Sequence, residues 1–287
     1  MPLMFMISGY VHGRIDRFHD SRGYSHHTLR NFVSIYLPYL WISYFGWAVS
    51  LLIFRGSSNP INYNMAQFGE LFRIPYIGFR EYWFLCTLFQ VKLVHIAFEY
   101  RFRSTVPCTV FWVMVFIALN LCRSSLPLWV YRFQFGMYFH AGYLLKTRNI
   151  ITSERPPKLL WGVLMIAVAE VMYFMPSVHG HAASISVSAL MSLGLFAVFY
   201  ALKIRPALLV LPGSTSMVMF IVHDYVIFSM ALLFKFAGLL RETPIAAYLL
   251  TFALAVAVPL LIVKLYRNVK AMRWIEYLFY PGKLLRH

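Results

Sequence analysis

Long apolar runs alternate with short polar gaps along most of this chain. The runs fall at roughly 33–54, 82–100, 106–121, 128–145, 158–176, 183–202, 213–234 and 244–264. Each is predicted to be a helix, and about 20 residues rising about 1.5 Å each cross a bilayer core. Met1 to Gly13 is apolar as well, but too short to span and without a charged lead-in, like the second half of a helix. Its Gly9-x-x-x-Gly13 spacing would let another helix approach closely, as would Ser184, Ser188 and Ser192 in the 183–202 run. Pro60, Pro127, Pro156, Pro157 and Pro244 sit in gaps or at helix starts, where the missing N–H does least harm. Trp47, Tyr82, Trp83, Trp129, Tyr143 and Trp161 mark run ends, as interfacial aromatic belts do. With no internal repeat and no low-complexity linker, one domain over residues 1–287 is expected. The fold class is all-α: a polytopic membrane bundle of about nine helices, the first one partial.

Composition agrees. The chain is 60% hydrophobic and only 13% charged, where soluble domains carry about 25% charged residues. A formal charge of +16 invites a nucleic-acid reading. The basic residues, however, lie in short gaps between apolar runs rather than in a basic surface with interleaved aromatics, so no nucleic-acid partner is expected. Counted over alternate gaps, Lys and Arg divide eighteen against six, with Lys92 and Arg132 inside runs. That asymmetry places the Arg14–Asn31 gap and the C-terminal tail in the cytoplasm and Met1 outside. A multi-pass protein of the inner cell membrane, surrounded by lipid, is the expectation.

Three cysteines supply no disulfide framework: Cys108 and Cys122 are about 21 Å apart along one helix. No cleavable signal peptide, Walker loop, zincin helix, nucleophile elbow or paired CxxC motif is visible, and no metal-ligand constellation is evident.

Candidate chemistry lies in polar groups embedded in the runs, where an ionisable side chain costs about 2.5–3.5 kcal/mol facing lipid. His223 and Asp224 sit mid-run in 213–234; they serve either a structural hydrogen bond or a polar pocket. Adjacent helical residues diverge by about 100°, so the two point to different sectors, and His223 is expected to face the interior. Lys92, His95 and Glu99 share one face of 82–100, as a salt-bridged packing stripe or as a lining for the cytoplasmic half of a cavity. His140, with Gln134 and Arg132, lies in 128–145, and Glu170 in 158–176.

Several stretches resemble the acyltransferase-3 family of multi-spanning O-acyltransferases, particularly its sugar and polysaccharide acetylase branch. Met1-Pro-Leu-Met-Phe-Met-Ile-Ser-Gly-Tyr10 is similar to its second helix, and Glu81-Tyr-Trp-Phe-Leu-Cys-Thr-Leu-Phe89 to its Trp-Phe-Leu helix start. Ser216-Met-Val-Met-Phe-Ile-Val-His223 is similar to its late Ser…His helix, and Gly142-Tyr-Leu-Leu-Lys146 to its Gly-Tyr-Leu-basic segment. The resemblance implies acetyl-CoA or a related thioester as donor and a hydroxyl of a surface carbohydrate or glycolipid precursor as acceptor. It implies His223, His95 and His140 as catalytic candidates, because acyl transfer to an alcohol needs a base. Arg14, Arg17, Arg30 and Lys92 become candidates for the CoA phosphates. Tyr82, Trp83, Glu170 and Asp224 become candidates for the acceptor, and no metal is implied.

The family's first helix, with an Arg or Lys ten residues before a His, has no counterpart here, and its Arg-x-x-Arg cluster is matched poorly around Leu37-Pro38. From this and from the placement of Met1 outside, a reading frame extending upstream by roughly 20–50 residues, one helix and a loop, is expected to carry the principal base. The competing reading is a secondary transporter or lipid-linked sugar flippase, for which embedded charges would form a solute path. Transporters often show internal repeats and broken mid-membrane helices, and neither is clear in this sequence.

Overall fold

The computed structural model describes residues 1–12, 21–53, 69–77, 82–102, 104–151, 157–175, 181–202, 216–236 and 244–281. Among these the regular structure is entirely helical. In chain order the helices are α1 (Pro2–His12), α2 (Ser21–Asn31), α3 (Leu37–Ile53), α4 (Glu70–Ile77), α5 (Trp83–Phe102), α6 (Thr105–Leu121) and α7 (Leu128–Tyr131). They continue with α8 (Phe135–Thr147), α9 (Leu159–Phe174), α10 (His181–Leu202), α11 (Ser216–Phe236), α12 (Pro244–Asn268) and α13 (Trp274–Phe279). Apart from 128–145, each apolar run has become a helix close to its expected bounds. Among the described residues two segments, Ser184–Leu202 and Ile245–Asn268, are by themselves long and apolar enough to cross a bilayer; α6 and α9 are apolar but shorter.

Besides the short helices α4 and α13, which form in the gap before residue 82 and in the tail, three places depart from the expected pattern. The polar gap before residue 31 contains α2, whose Tyr24 ring packs 4.8 Å from Tyr100 and whose Asn31 amide donates to the His27 carbonyl at 2.9 Å. Polar composition did not prevent a helix there because contacts outside it hold it. The 128–145 run is broken: α7 tightens into a 3₁₀ turn over Arg132–Gln134 before α8 begins, with the Arg132 N–H shared between the Leu128 and Val130 carbonyls. Before α3, residues Phe32–Tyr36 form a π turn in which the Leu37 N–H reaches the Phe32 carbonyl. Pro38 has no N–H to give to residue 34, so the ladder widens at that point.

The chain forms two compact units, Met1–His26 with Gln90–Ile204, and His27–Phe89 with Arg205–His287. In the second unit, Tyr36 donates to the Pro75 carbonyl at 2.8 Å, Tyr39 donates to that of Ile74, and together they fasten α4 to α3. Trp41 Nε1 donates to the Leu278 carbonyl at 2.6 Å, tying α13 to α3, while α11 packs along α12.

In the first unit α1 lies against α8, and α9 against α10. Lipid tails are as apolar as leucine, so helices in a membrane associate by close packing and interhelical hydrogen bonds rather than by hydrophobic burial. Small residues provide the approach. A Cβ on Gly162 would press on the Gly194 carbonyl at 3.1 Å, and one on Gly194 on the Gly162 carbonyl at 2.9 Å. The serine stripe expected to do this on α10 contributes less: Ser192 is buried, but Ser184 is exposed.

The far end of α8 is closed by Asn149 in the left-handed region, φ 53°. Its N–H donates to the Lys146 carbonyl at 3.1 Å, and that of Ile150 to the Leu145 carbonyl at 3.1 Å. Asn tolerates that conformation better than most residues. The turn presents the Ile151 carbonyl to the Tyr10 hydroxyl at 2.9 Å, locking α1 to the end of α8.

The two faces of α6 show how the apolar helices are used. Val106, Val110, Met114, Ile117 and Leu121 are exposed along one stripe, and Thr105, Cys108, Trp112 and Leu119 are buried along the other. A stripe of that size exposed at helical spacing suits lipid rather than water.

Candidate functional site

Most of the buried polar chemistry in the first unit gathers where α1, α5, α6 and α8 meet. α5 places His95 and, one turn on, Glu99 on one face. α6 begins at Ser104, whose hydroxyl accepts the Val106 N–H at 3.3 Å, and carries Cys108, Thr109 and Trp112 inward. α8 contributes His140 and Tyr143, and α1 ends on His12. The α6–α8 approach depends on Gly136, because a Cβ there would sit inside the Trp112 ring. Trp112 in turn stacks on the His95 imidazole, 5.8 Å between centroids at 17°.

His95 and His140 are both 0% exposed, Cys108 2% and His12 3%. His140 Nδ1 is 3.3 Å from His95 Nε2. On its other side, His140 Nε2 is 2.8 Å from Thr109 Oγ1. That hydroxyl donates its single proton to the Thr105 carbonyl at 2.8 Å. It must therefore accept from His140, which fixes the proton on Nε2 and leaves the Nδ1 lone pair for His95. Cys108 Sγ lies 3.8 Å from His140 Nδ1 and 3.7 and 3.8 Å from the two nitrogens of His95. Beside this group, His12 Nε2 meets Glu99 Oε2 at 3.3 Å, and the His12 ring is 6.1 Å from that of His95. Arg148 Nη2 donates to Thr105 Oγ1 at 2.9 Å, clasping the last turn of α8 to the first turn of α6.

Two of the three histidines expected to be catalytic, His95 and His140, are thus brought into contact. The third, His223, lies half-buried on α11 in the second unit. Of the Lys92, His95 and Glu99 stripe, His95 and Glu99 reach the cluster, while Lys92 is half-buried earlier on α5. Arg30 is exposed on α2, Arg14 and Arg17 lie outside the described residues, and so does the side chain of Asp224. Tyr82 is buried, its hydroxyl donating to the Ile221 carbonyl of α11 at 3.4 Å; Trp83 is half-buried. Glu170 is exposed on α9, between the exposed Val168 and Val171.

Sequence reasoning missed His12, Cys108 and Thr109. His12 lies just before the first polar gap and is not singled out there, and Cys108 enters only as a half-cystine without a partner. The one signal available was that Cys108 and Thr109 stand side by side near the start of an apolar run.

Among families of known proteins, the acyltransferase domain of the Acyl_transf_3 family matches residues 1–264. No curated protein and no solved structure matches the chain.

Proposed function

Because the chain belongs to the acyltransferase-3 family and is a membrane acyltransferase, we propose that it moves an acetyl or similar acyl group from acyl-CoA to a hydroxyl of a cell-surface carbohydrate or its lipid-linked precursor. The observation that carries this reading is the match of the acyltransferase domain to residues 1–264, which contain the whole buried histidine cluster. The match gives no support to the transporter reading.

Position supports the donor side. His12 is the last residue of α1 and Cys108 lies in the first turn of α6, while His140 is near the middle of α8. The charge bias puts those helix ends at the cytoplasmic face of the inner membrane, together with the C-terminus. Acyl-CoA is made in the cytoplasm, so its thioester enters from that side. Arg14, Arg17, Arg30 and Lys92 are the proposed partners of its phosphates, and Tyr82 and Trp83 a proposed aromatic contact for the sugar.

In the transfer itself the acceptor hydroxyl oxygen attacks the thioester carbonyl carbon, the hydroxyl proton passes to an imidazole, and the C–S bond breaks. CoA thiolate leaves and takes that proton. We assign the first proton acceptance to His12, which Glu99 orients as a carboxylate orients a catalytic imidazole. His95 and His140 extend the same polar centre, and His223 is the corresponding candidate in the second unit.

The test is mass spectrometry of surface glycans from cells with and without the gene, paired with transfer from isotopically labelled acetyl-CoA by the purified protein. Loss of an acyl substituent in the deletion, restored by the gene, is expected. Identical glycans and no label transfer would overturn the proposal.

A further inference from the structure

Among the described residues, His95, Cys108 and His140 bring one donor atom each within 4.8 Å of one another, and all three are buried. We propose that they hold a zinc ion. The inference stands on this geometry and not on the acyl-transfer reading.

A tetrahedral zinc with bonds of about 2.0–2.1 Å to nitrogen and about 2.3 Å to sulfur sets its ligand atoms about 3.3 Å apart for N···N and about 3.5 Å for N···S. The observed triangle has edges of 3.3 Å from His95 Nε2 to His140 Nδ1, 3.8 Å from Cys108 Sγ to His95 Nε2 and 3.8 Å from Cys108 Sγ to His140 Nδ1. The nitrogens already have the required separation. The sulfur closes the rest by a few tenths of an ångström. Because Sγ is nearly equidistant from both His95 nitrogens, the His95 ring must pivot to aim one lone pair at the ion.

An ordinary hydrogen-bonded core accounts for this arrangement less well. A thiol has one weakly donated proton, and here it faces three imidazole nitrogens at nearly equal distances of 3.7–3.8 Å, none of them singled out. His140, by contrast, is prepared as a ligand. Its proton is fixed on Nε2 by Thr109, so the Nδ1 lone pair faces the point where an ion would sit. Outer hydroxyl or carbonyl partners orient metal-bound histidines in the same way. Binding is balanced by release of the Cys108 thiol proton, while His95 remains neutral and carries its proton on the nitrogen turned away from the ion. Two imidazoles and a thiolate select a borderline-soft ion over magnesium or calcium. Three protein ligands leave the fourth position to water.

With zinc in place, His95 and His140 are ligands, and proton acceptance rests with the neighbouring His12–Glu99 pair.

The experiment uses the full-length protein purified in nanodiscs, stripped with chelator and titrated with Zn²⁺, with bound metal counted by plasma mass spectrometry and Co²⁺ used as an optical probe. One zinc per chain is expected, together with a thiolate-to-cobalt charge-transfer band. Cys108→Ser should abolish the band and weaken binding about 100-fold or more, whereas Cys122→Ser changes neither. Thr109→Val should weaken zinc about 10–100-fold while the thiolate band persists, since it removes only the outer partner of His140. Wild-type protein that binds no zinc after stripping, or a Cys108→Ser protein with unchanged stoichiometry and spectrum, would overturn the site. Acyl transfer is not part of the readout, so failure here leaves the proposed reaction untouched, and failure of that reaction leaves this site untouched.

Discussion

Gly9 and Gly142 are reciprocal: a Cβ on Gly9 would fall on the carbonyl of Phe139 in α8, and a Cβ on Gly142 on the carbonyl of Met6 in α1. Each glycine is the space into which the other helix's backbone fits. This contact sets the distance between His12 at the end of α1 and His140 on α8. Gly9→Val and Gly142→Val are each expected to destabilise the detergent-solubilised protein by about 1–3 kcal/mol, as overpacking does. The double variant should cost less than the sum, because the first substitution already separates the helices. Equilibrium unfolding of the three proteins measures this; strictly additive losses would disprove the reciprocal contact.

The His12–Glu99 pair has a kinetic consequence. Glu99→Gln keeps the shape but removes the charge that orients His12, and it should lower kcat for acyl transfer by about 10²-fold or more. KM for the acyl donor should change little. A Glu99→Gln enzyme with unaltered kcat would remove His12 from the role of base.

Tyr10 gives a test of how α1 is fixed. Its hydroxyl donates to the Ile151 carbonyl and lies 3.0 Å from the Tyr200 hydroxyl, and its ring receives Lys146 Nζ at 5.8 Å. Tyr10→Phe keeps the ring contacts and deletes the hydrogen bonds. Between membrane helices such bonds contribute about 0.6–1.7 kcal/mol. A loss in that range on unfolding is expected, and a neutral result would show that the turn after α8 holds itself.

Topology can be read from sulfur. Cys86 and Cys108 are buried, and Cys122, just past α6, is exposed. The orientation proposed from the charge bias puts Cys122 on the outer face. A membrane-impermeant maleimide applied to spheroplasts should label the protein at one site, and Cys122→Ser should abolish the label. Labelling of Cys122 only from the cytoplasmic side would invert the assignment.

The helices were legible because apolar runs of that length have few alternatives, and the stripe of His95 and Glu99 was legible because helical periodicity puts them on one face. The partners of that stripe were not. His95, Cys108 and His140 are separated by 13 and 32 positions, spacings that belong to no local motif and arise only from how α5, α6 and α8 cross. The α6–α8 approach depends on Gly136, as that of α1 to α8 does on Gly9 and Gly142, and a glycine's neighbour cannot be read from its own sequence. The break between α7 and α8 was hidden for a similar reason, since Arg132 and Gln134 lie in a run that is mostly apolar on either side of them.

α9 meets α10 through Gly162, and Ala169 two turns on is fully buried, while Leu160, Val163, Leu164, Val168 and Phe174 are exposed. Its inner seam is therefore written in residue size and its outer surface only in solubility in oil. Under random substitution followed by selection for folded protein, Gly162 and Ala169 should admit almost nothing larger. The outer positions should exchange leucine, valine, isoleucine and phenylalanine freely, so that related chains diverge at most of this helix while keeping two small letters seven residues apart.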